Sequence, residues 1–314
     1  MSETYGLPWD TLTWLRCPYC ASRFRSDRNI QHTADRIQWG LLTCDCSMKH
    51  PVLDGILLLK HIDTPIVSRT IQDLMHDIDD LPNWLNSLIE SDPGEWKRIP
   101  PRETAIESYQ VAGTHPFYEY LANRWGTRSF ASGVALLSTL QKGVFVDLAC
   151  GTGHFSYVYR QVAPQSPLIS IDTSLSLLLA GRQQGLLPND KSTALICSDL
   201  ESPLPLPNQS VHTYFFSDGL HYVQNQMGVL REIRRTISPD GVAILNHTHN
   251  PNATVIDPGQ GLSKPPKTYL RMILDVGLKV PFVFDDDHLR QAPGYCYRRK
   301  KPDLSHRSQW PWDD

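Results

Sequence analysis

No apolar run in this sequence approaches the roughly twenty residues that cross a bilayer; Ile56–Leu59 is long enough only for a strand. The amino terminus lacks a basic segment followed by an apolar one, so no secretory signal is read there and a cytoplasmic location is expected. An excess of one charge is also missing. The 30 Lys and Arg against 33 Asp and Glu leave a formal net charge of -3, with no global pull toward nucleic acid or an anionic membrane. No internal repeat is present. Cysteine is scarce and odd in number, seven in 314 residues, which argues against a disulfide framework and for a reducing compartment. What remains, 40% hydrophobic and 20% charged residues, is the make-up of a globular chain with room for one large domain and a small one.

The most informative segment is Val144-Phe145-Val146-Asp147-Leu148-Ala149-Cys150-Gly151-Thr152-Gly153. Its first three residues suit a buried parallel strand, which Asp147 ends. Gly151 and Gly153 let the backbone turn sharply and approach a ligand, and a helix is expected from near His154. Strand, glycine turn and helix is how an open α/β sheet builds a nucleotide site. A nicotinamide or flavin site fits poorly. Ser156 stands where the third glycine of G-x-G-x-x-G would be, and Asp147 would set a carboxylate near a pyrophosphate. A carboxylate there suits a ligand carrying an ammonium and a sulfonium.

Asp147, Ala149, Gly151 and Gly153 resemble the first motif, (D/E)-x-(G/A)-x-G-x-G, of the class I methyltransferases that use S-adenosylmethionine (SAM). Later segments follow at the intervals this resemblance implies. Pro167–Ile171 reads as a second strand ending at Asp172, whose carboxylate would accept the ribose hydroxyls, with Thr173 beside it. Ala194–Cys197 reads as a third strand. The resemblance implies that the following Asp199 holds the adenine amino group and Leu200 packs on the ring. His212–Phe216 is strand four, with Ser217 at the cofactor and Ser217–Tyr222 as its exit. Val229–Ile237 is a helix, Ser238–Gly241 a turn, and Val242–Leu245 strand five. Lys267–Val276 is expected to be helical, and Lys279–Phe284 and Tyr295–Arg299 to be the closing strands. Arg298–Lys301 is a basic run at that strand end.

The cysteines that do occur are clustered. Cys17-Pro18-Tyr19-Cys20 is a C-x-x-C knuckle, and Cys44-Asp45-Cys46 supplies a second pair. Strands at Arg36–Leu42 and Pro51–Leu59, the latter turning through Asp54-Gly55, would carry them. Two thiol pairs on hairpin-like turns make a structural tetrahedral zinc cage of Cys17, Cys20, Cys44 and Cys46, with His50 the alternative fourth ligand. Leu12–Leu59, including His50-Pro51-Val52-Leu53-Asp54-Gly55-Ile56, resembles the zinc-ribbon family of methyltransferase activators. Taken as a separate module, such a ribbon would lose its zinc without altering the SAM pocket.

The expected architecture is therefore α/β: a doubly wound, seven-stranded, Rossmann-like methyltransferase sheet with a small N-terminal zinc ribbon and a helical insertion. The divisions read 1–61 ribbon, 62–140 helical linker or lid, 141–301 SAM-binding domain and 302–314 tail. Ile71, Leu74, Met75 and Ile78 recur at helical spacing within the insertion. Tyr118, in the aromatic run 115–120, is implied to cover the cofactor.

Methyl transfer from a sulfonium is an in-line displacement that alignment and desolvation can drive. A base is needed only when the acceptor must lose a proton. His221, His247 and His249 fall at carboxyl ends of strands and are the candidates, with His221 expected at the rim. Orientation through a backbone or substrate hydrogen bond without proton transfer, and a metal site made from the same three imidazoles, are the other uses of them. The N-P-P-(Y/F) signature of DNA-adenine and glutamine methyltransferases is absent after strand four. The expected acceptor is a small molecule. The alternative is an RNA base gripped through the ribbon, since ribosomal-RNA guanine methyltransferases also carry one. A non-catalytic SAM-binding protein is the third reading.

Overall fold

The computed structural model describes residues 6–59 except 27–30, 34 and 47; 124–137 except 126; 143–280 except 184 and 252–260; and residue 283. The strands are β1 (Leu7–Pro8), β2 (Arg25–Ser26), β3 (Gln31–His32), β4 (Arg36–Thr43), β5 (Lys49–Leu53), β6 (Ile56–Leu58), β7 (Phe145–Leu148), β8 (Leu168–Asp172), β9 (Thr193–Cys197), β10 (Val211–Ser217) and β11 (Ile237–Asn246). The α-helices are α1 (Arg128–Leu137), α2 (His154–Val162), α3 (Leu175–Gln183), α4 (Gln226–Thr236) and α5 (Pro266–Asp275).

The strands run β1-β4-β5-β6-β9-β8-β7-β10-β11, with β2 and β3 also on β4. From β9 to β11 every pair is parallel, and the first strand of this part, β7, lies between β8 and β10. The sheet is thus wound outward in both directions from β7, and the switch point where ligands bind in such sheets falls at the carboxyl end of that strand. Phe145–Leu148 and Leu168–Asp172 are buried at every position, because helices cover both faces. Val146, Leu148, Ile169 and Ile171 share a core with Val229, Leu230 and Ile233 of α4 and Tyr269 and Met272 of α5. Phe145, Leu168 and Phe215 face the other way, onto Phe130 of α1 and Phe155 and Tyr159 of α2.

The N-terminal strands continue the same sheet. Ile56, Leu57 and Leu58 of β6 pair in parallel with Leu195, Ile196 and Cys197 of β9. Strand β9 would otherwise offer a row of unpaired backbone groups, and β6 closes it. Leu57 and Leu59 are buried in one core with Ile169 and Ile196. The β5–β6 hairpin turns through Asp54 (φ 48°) and Gly55 (φ 78°), as the Asp-Gly pair predicts. Asp54 then forms an ion pair with Arg182 of α3; the two side chains are 14% and 5% exposed.

Two expectations need correction. Ser238–Gly241 is not a separate turn: β11 runs through it, and the register slips so that Ile237 faces Val211 while Val242 faces Thr213. Four residues of β11, 238–241, thus lie opposite the single residue 212 of β10, and the three extra ones are accommodated as an irregularity of the sheet edge. Five of the seven expected domain strands are among the described residues. Lys279, Val280 and Val283 are not in a strand, and the rest of 279–284, all of 295–299, and residues 302–314 lie outside the described residues. So do Tyr118, residues 71–78 and most of the 62–140 insertion, apart from α1 and the residues just before it.

Candidate active site

Strand β7 delivers Asp147 to its carboxyl end, where it is buried. Ser156 Oγ, one turn into α2, donates to Asp147 Oδ2 at 2.6 Å and lies 2.8 Å from Ser170 Oγ on β8. The serine that breaks the dinucleotide glycine pattern is therefore the residue that holds this carboxylate. Burial pushes the Asp147 carboxyl up to about 7, against the opposing pull of the Ser156 hydrogen bonds and the Arg124 charge.

The chain then reverses through three left-handed residues, Ala149 (φ 52°), Gly151 (φ 55°) and Gly153 (φ 89°). The two glycines have different reasons. A Cβ on Gly153 would stand 2.3 Å from Leu187 Cδ2, so the Leu187 side chain would have to move, and the φ of 89° adds backbone strain for any other residue. Among the described residues, a Cβ on Gly151 would meet nothing within 4 Å, and the space beside it is open there. Gly151 N–H donates to Asp172 Oδ2 at 2.8 Å, and Ser174 N–H to Asp172 Oδ1 at 2.8 Å. The carboxylate at the end of β8 is thereby locked to the glycine turn at the end of β7.

Asp199 follows β9, half-buried, and accepts a hydrogen bond from Glu201 N–H at 2.8 Å; Leu200 is buried. The N-terminal segment borders this loop. Leu59 N–H donates to Cys197 O at 2.9 Å and Arg16 N–H to Pro205 O at 2.9 Å. Tyr19 of the first knuckle donates its hydroxyl to Leu59 O at 3.2 Å. Burial, with the charges of Cys17, Asp199 and Cys46, pushes that phenol up to about 12.

Beyond the glycine turn, the exits of β10 and β11 meet. Asp218 (φ 58°) and His247 (φ 53°) are both left-handed non-glycine residues, a conformation that costs on the order of 1–3 kcal/mol each and persists where the surroundings impose it. His249 Nε2 lies 2.9 Å and His247 Nδ1 3.1 Å from Asp218 Oδ1, while Arg124 Nη1 reaches Oδ2 at 3.2 Å. Burial raises the Asp218 carboxyl, but the hydrogen bonds from His247 and His249 and the Arg124 charge outweigh it and hold the group well below the usual carboxylate range. Gly219 ties this cluster to the glycine turn: its Cβ position would lie 2.6 Å from Ala149 Cβ.

His221 is not at the rim, as expected from sequence. It is fully buried, its ring centroid 4.1 Å from those of both His249 and Tyr222, with Nε2 3.9 Å from Asp218 Oδ1. The reason is the short helical turn Leu220–Tyr222, which folds the side chain back behind His249. Ser217 accepts a hydrogen bond from Asn246 Nδ2 at 2.9 Å and so links the two strand ends. Thr173 O lies 3.5 Å from Cys197 Sγ. Asp218 and Arg124 escaped the sequence reading. Asp218 sits in the quoted exit segment, but an acid in a loop carries no signal of its partners.

In the N-terminal segment, the Sγ atoms of Cys17, Cys20, Cys44 and Cys46 all lie within 4.8 Å of one another. His50 Nε2 approaches Cys44 Sγ at 3.6 Å and Cys17 Sγ at 3.7 Å, and burial lowers its imidazole to about 4.

Residues 146–245 match a protein family described as a methyltransferase domain. Over 118 residues the chain is 30% identical to demethylmenaquinone methyltransferase of Listeria monocytogenes serotype 4a, covering 37% of this chain and 49% of the relative. Over 103 residues it is 29% identical to malonyl-(acyl-carrier protein) O-methyltransferase of Yersinia pestis, covering 33% of this chain and 36% of the relative. The chain thus spans half or less of the length of the curated relatives it matches. Among solved structures, a SAM-dependent methyltransferase from Mesorhizobium loti is similar with TM-score 0.42 and 20% identity, over 55% of this chain and 92% of that one. A Haloferax volcanii complex of the Trm112 methyltransferase activator with a methyltransferase is similar with TM-score 0.43 and 18% identity, over 52% of this chain and 76% of that one.

Proposed function

We propose that this chain, with its methyltransferase domain at residues 146–245, binds SAM at the end of β7 and passes the methyl group to a small-molecule acceptor. The observation that carries the reading is the lock between Gly151 and Asp172 beside open space, at the switch point of a doubly wound sheet. Asp172, at the end of β8, would accept the ribose hydroxyls on its carboxylate. Asp199 and Leu200 would hold the adenine, and the open side of Gly151 would let the methionyl chain approach the backbone. Asp147 would face the ammonium through the floor of the turn, where a cation favours its ionised form.

Bound SAM supplies an activated methyl group, so the protein's task is to align and desolvate the acceptor. His221, buried behind His249, acts as a positioning residue in this reading. The relatives support a small-molecule acceptor over RNA, since they are named for demethylmenaquinone and for malonyl-acyl-carrier protein.

The four cysteine sulfurs form a donor set that fits structural zinc, with Cys17, Cys20, Cys44 and Cys46 as ligands and His50 packed against two of them. Zinc there would cross-link the ribbon that closes the β9 edge. The test is SAM turnover, followed by formation of the demethylated product, over fractionated metabolites and over ribosomal RNA. Turnover with a small-molecule fraction supports the reading; turnover with RNA alone overturns it.

A further inference from the structure

We infer that Asp218, His247 and His249 form a divalent-cation site, separate from the cysteine cluster, that holds a first-row transition metal beside the glycine turn. The donor atoms of these three residues lie within 4.8 Å of one another. The sequence expectation of a three-histidine set is thereby altered: His221 is displaced by a carboxylate.

The geometry is that of ligands converging on one point. His249 Nε2 and His247 Nδ1 approach the same oxygen, Asp218 Oδ1, at 2.9 and 3.1 Å. Donors about 2.1 Å from a shared ion and at right angles to each other are separated by about 3 Å. The other oxygen, Oδ2, is taken by Arg124 at 3.2 Å. That leaves Oδ1 as a single-point ligand, with its partner oxygen hydrogen-bonded in the way that orients metal carboxylates. His221 packs against the His249 ring at 4.1 Å and limits its rotation.

The backbone prepares the set. Asp218 and His247 follow directly on the paired ends of β10 and β11, where Ser217 faces Asn246, and each is held in the left-handed region. Two imidazoles and one carboxylate suit manganese, iron, cobalt, nickel or zinc better than magnesium or calcium, and leave coordination positions open. Because Gly219 packs on Ala149, those positions belong to the region next to the proposed methyl donor. On the methyl-transfer reading, the acceptor class is then a molecule with an oxygen ligand, such as a hydroxyl or carboxylate. The metal site itself does not depend on that reading.

The experiment is calorimetric titration of Co2+ into the full chain, zinc-loaded and without SAM, with zinc quantified before and after. One further equivalent of Co2+ is expected to bind without releasing zinc. His247→Ala, at a side chain 37% exposed, should weaken this binding at least tenfold and leave the melting temperature of the metal-free form near wild type. His249→Ala should weaken it similarly. Absence of a second equivalent, or affinity unchanged in both variants, overturns the site and leaves a hydrogen-bonded cluster. Cobalt binding without any methyl transfer would uphold the site while counting against the methyl-transfer reading.

Discussion

Gly151 N–H donates to Asp172 Oδ2 at 2.8 Å, so the turn after β7 and the end of the neighbouring strand β8, 21 residues apart in sequence, act as one unit. The bond fixes the left-handed turn of Gly151 and the position of the carboxylate together. Asp172→Asn should show this. An amide can accept at only one of its two terminal atoms, whereas Gly151 and Ser174 both donate here. One buried N–H then faces an N–H, at a cost of about 1–3 kcal/mol. Chemical denaturation should report that loss in the absence of any ligand, and unchanged stability would show the lock to be slack.

Asp147 makes the protein sensitive to pH. Its folded carboxyl titrates at about 7, above the ordinary 3.8, so between these values the folded state binds more protons than the unfolded state. Its contribution is fully present below about pH 4 and is lost as pH rises through 7. SAM, bringing an ammonium, should drive the proton off. Calorimetry at pH 6 in buffers of different ionisation enthalpy should then show proton release on SAM binding, falling away by pH 8. Heats independent of the buffer would disconnect Asp147 from the ligand's charge.

The Asp54–Arg182 pair joins the β5–β6 hairpin to α3. Asn tolerates the left-handed φ of 48° at position 54, so Asp54→Asn removes the charge without forcing the turn open. It removes the carboxylate that faces Arg182, whose side chain is 5% exposed, while the bond from Arg182 to the backbone carbonyl of residue 54 stays, and should cost about 1.5–3 kcal/mol, as for a hydrogen bond to a charged group. Denaturant midpoints provide the measurement. A change below about 1 kcal/mol would mean that the pair behaves as a surface contact.

Metal removal from the cysteine cluster should reach the SAM site. Treated as a separate module, the ribbon would lose zinc without consequence for the pocket, but β6 pairs with β9 and Leu59 N–H donates to Cys197 O, two residues before Asp199. Chelation should therefore weaken SAM binding several-fold, on the order of 1 kcal/mol. Equal affinity before and after chelation would show that the strand pairing survives without the metal.

Local features were legible in the sequence, and remote ones were not. The apolar runs at Phe145–Leu148, Leu168–Asp172 and Thr193–Cys197 announce strands because both their faces are buried. The Asp54-Gly55 turn and the helix start at His154 follow from local backbone preference. The union of β6 with β9 spans more than 130 residues and leaves no mark on either strand beyond its apolarity. Ser156 reads as a missing glycine until its bond to Asp147 is seen. The histidines were found by their positions after strands, yet Asp218, which His247 and His249 both face, was not. Nor was the burial of His221, which depends on how a three-residue turn folds.

The central claim is that the open side of Gly151 is where SAM meets the backbone. Gly151→Ala tests it, because the added Cβ meets no atom of the described residues within 4 Å and the left-handed φ of 55° costs only about 1–2 kcal/mol in a non-glycine residue. Calorimetric titration of SAM into the wild-type chain should give a dissociation constant on the micromolar scale, about 8 kcal/mol of binding. In Gly151→Ala, still folded by its melting curve, affinity should fall at least tenfold. No binding to the wild type, or equal binding to the folded variant, would contradict the account.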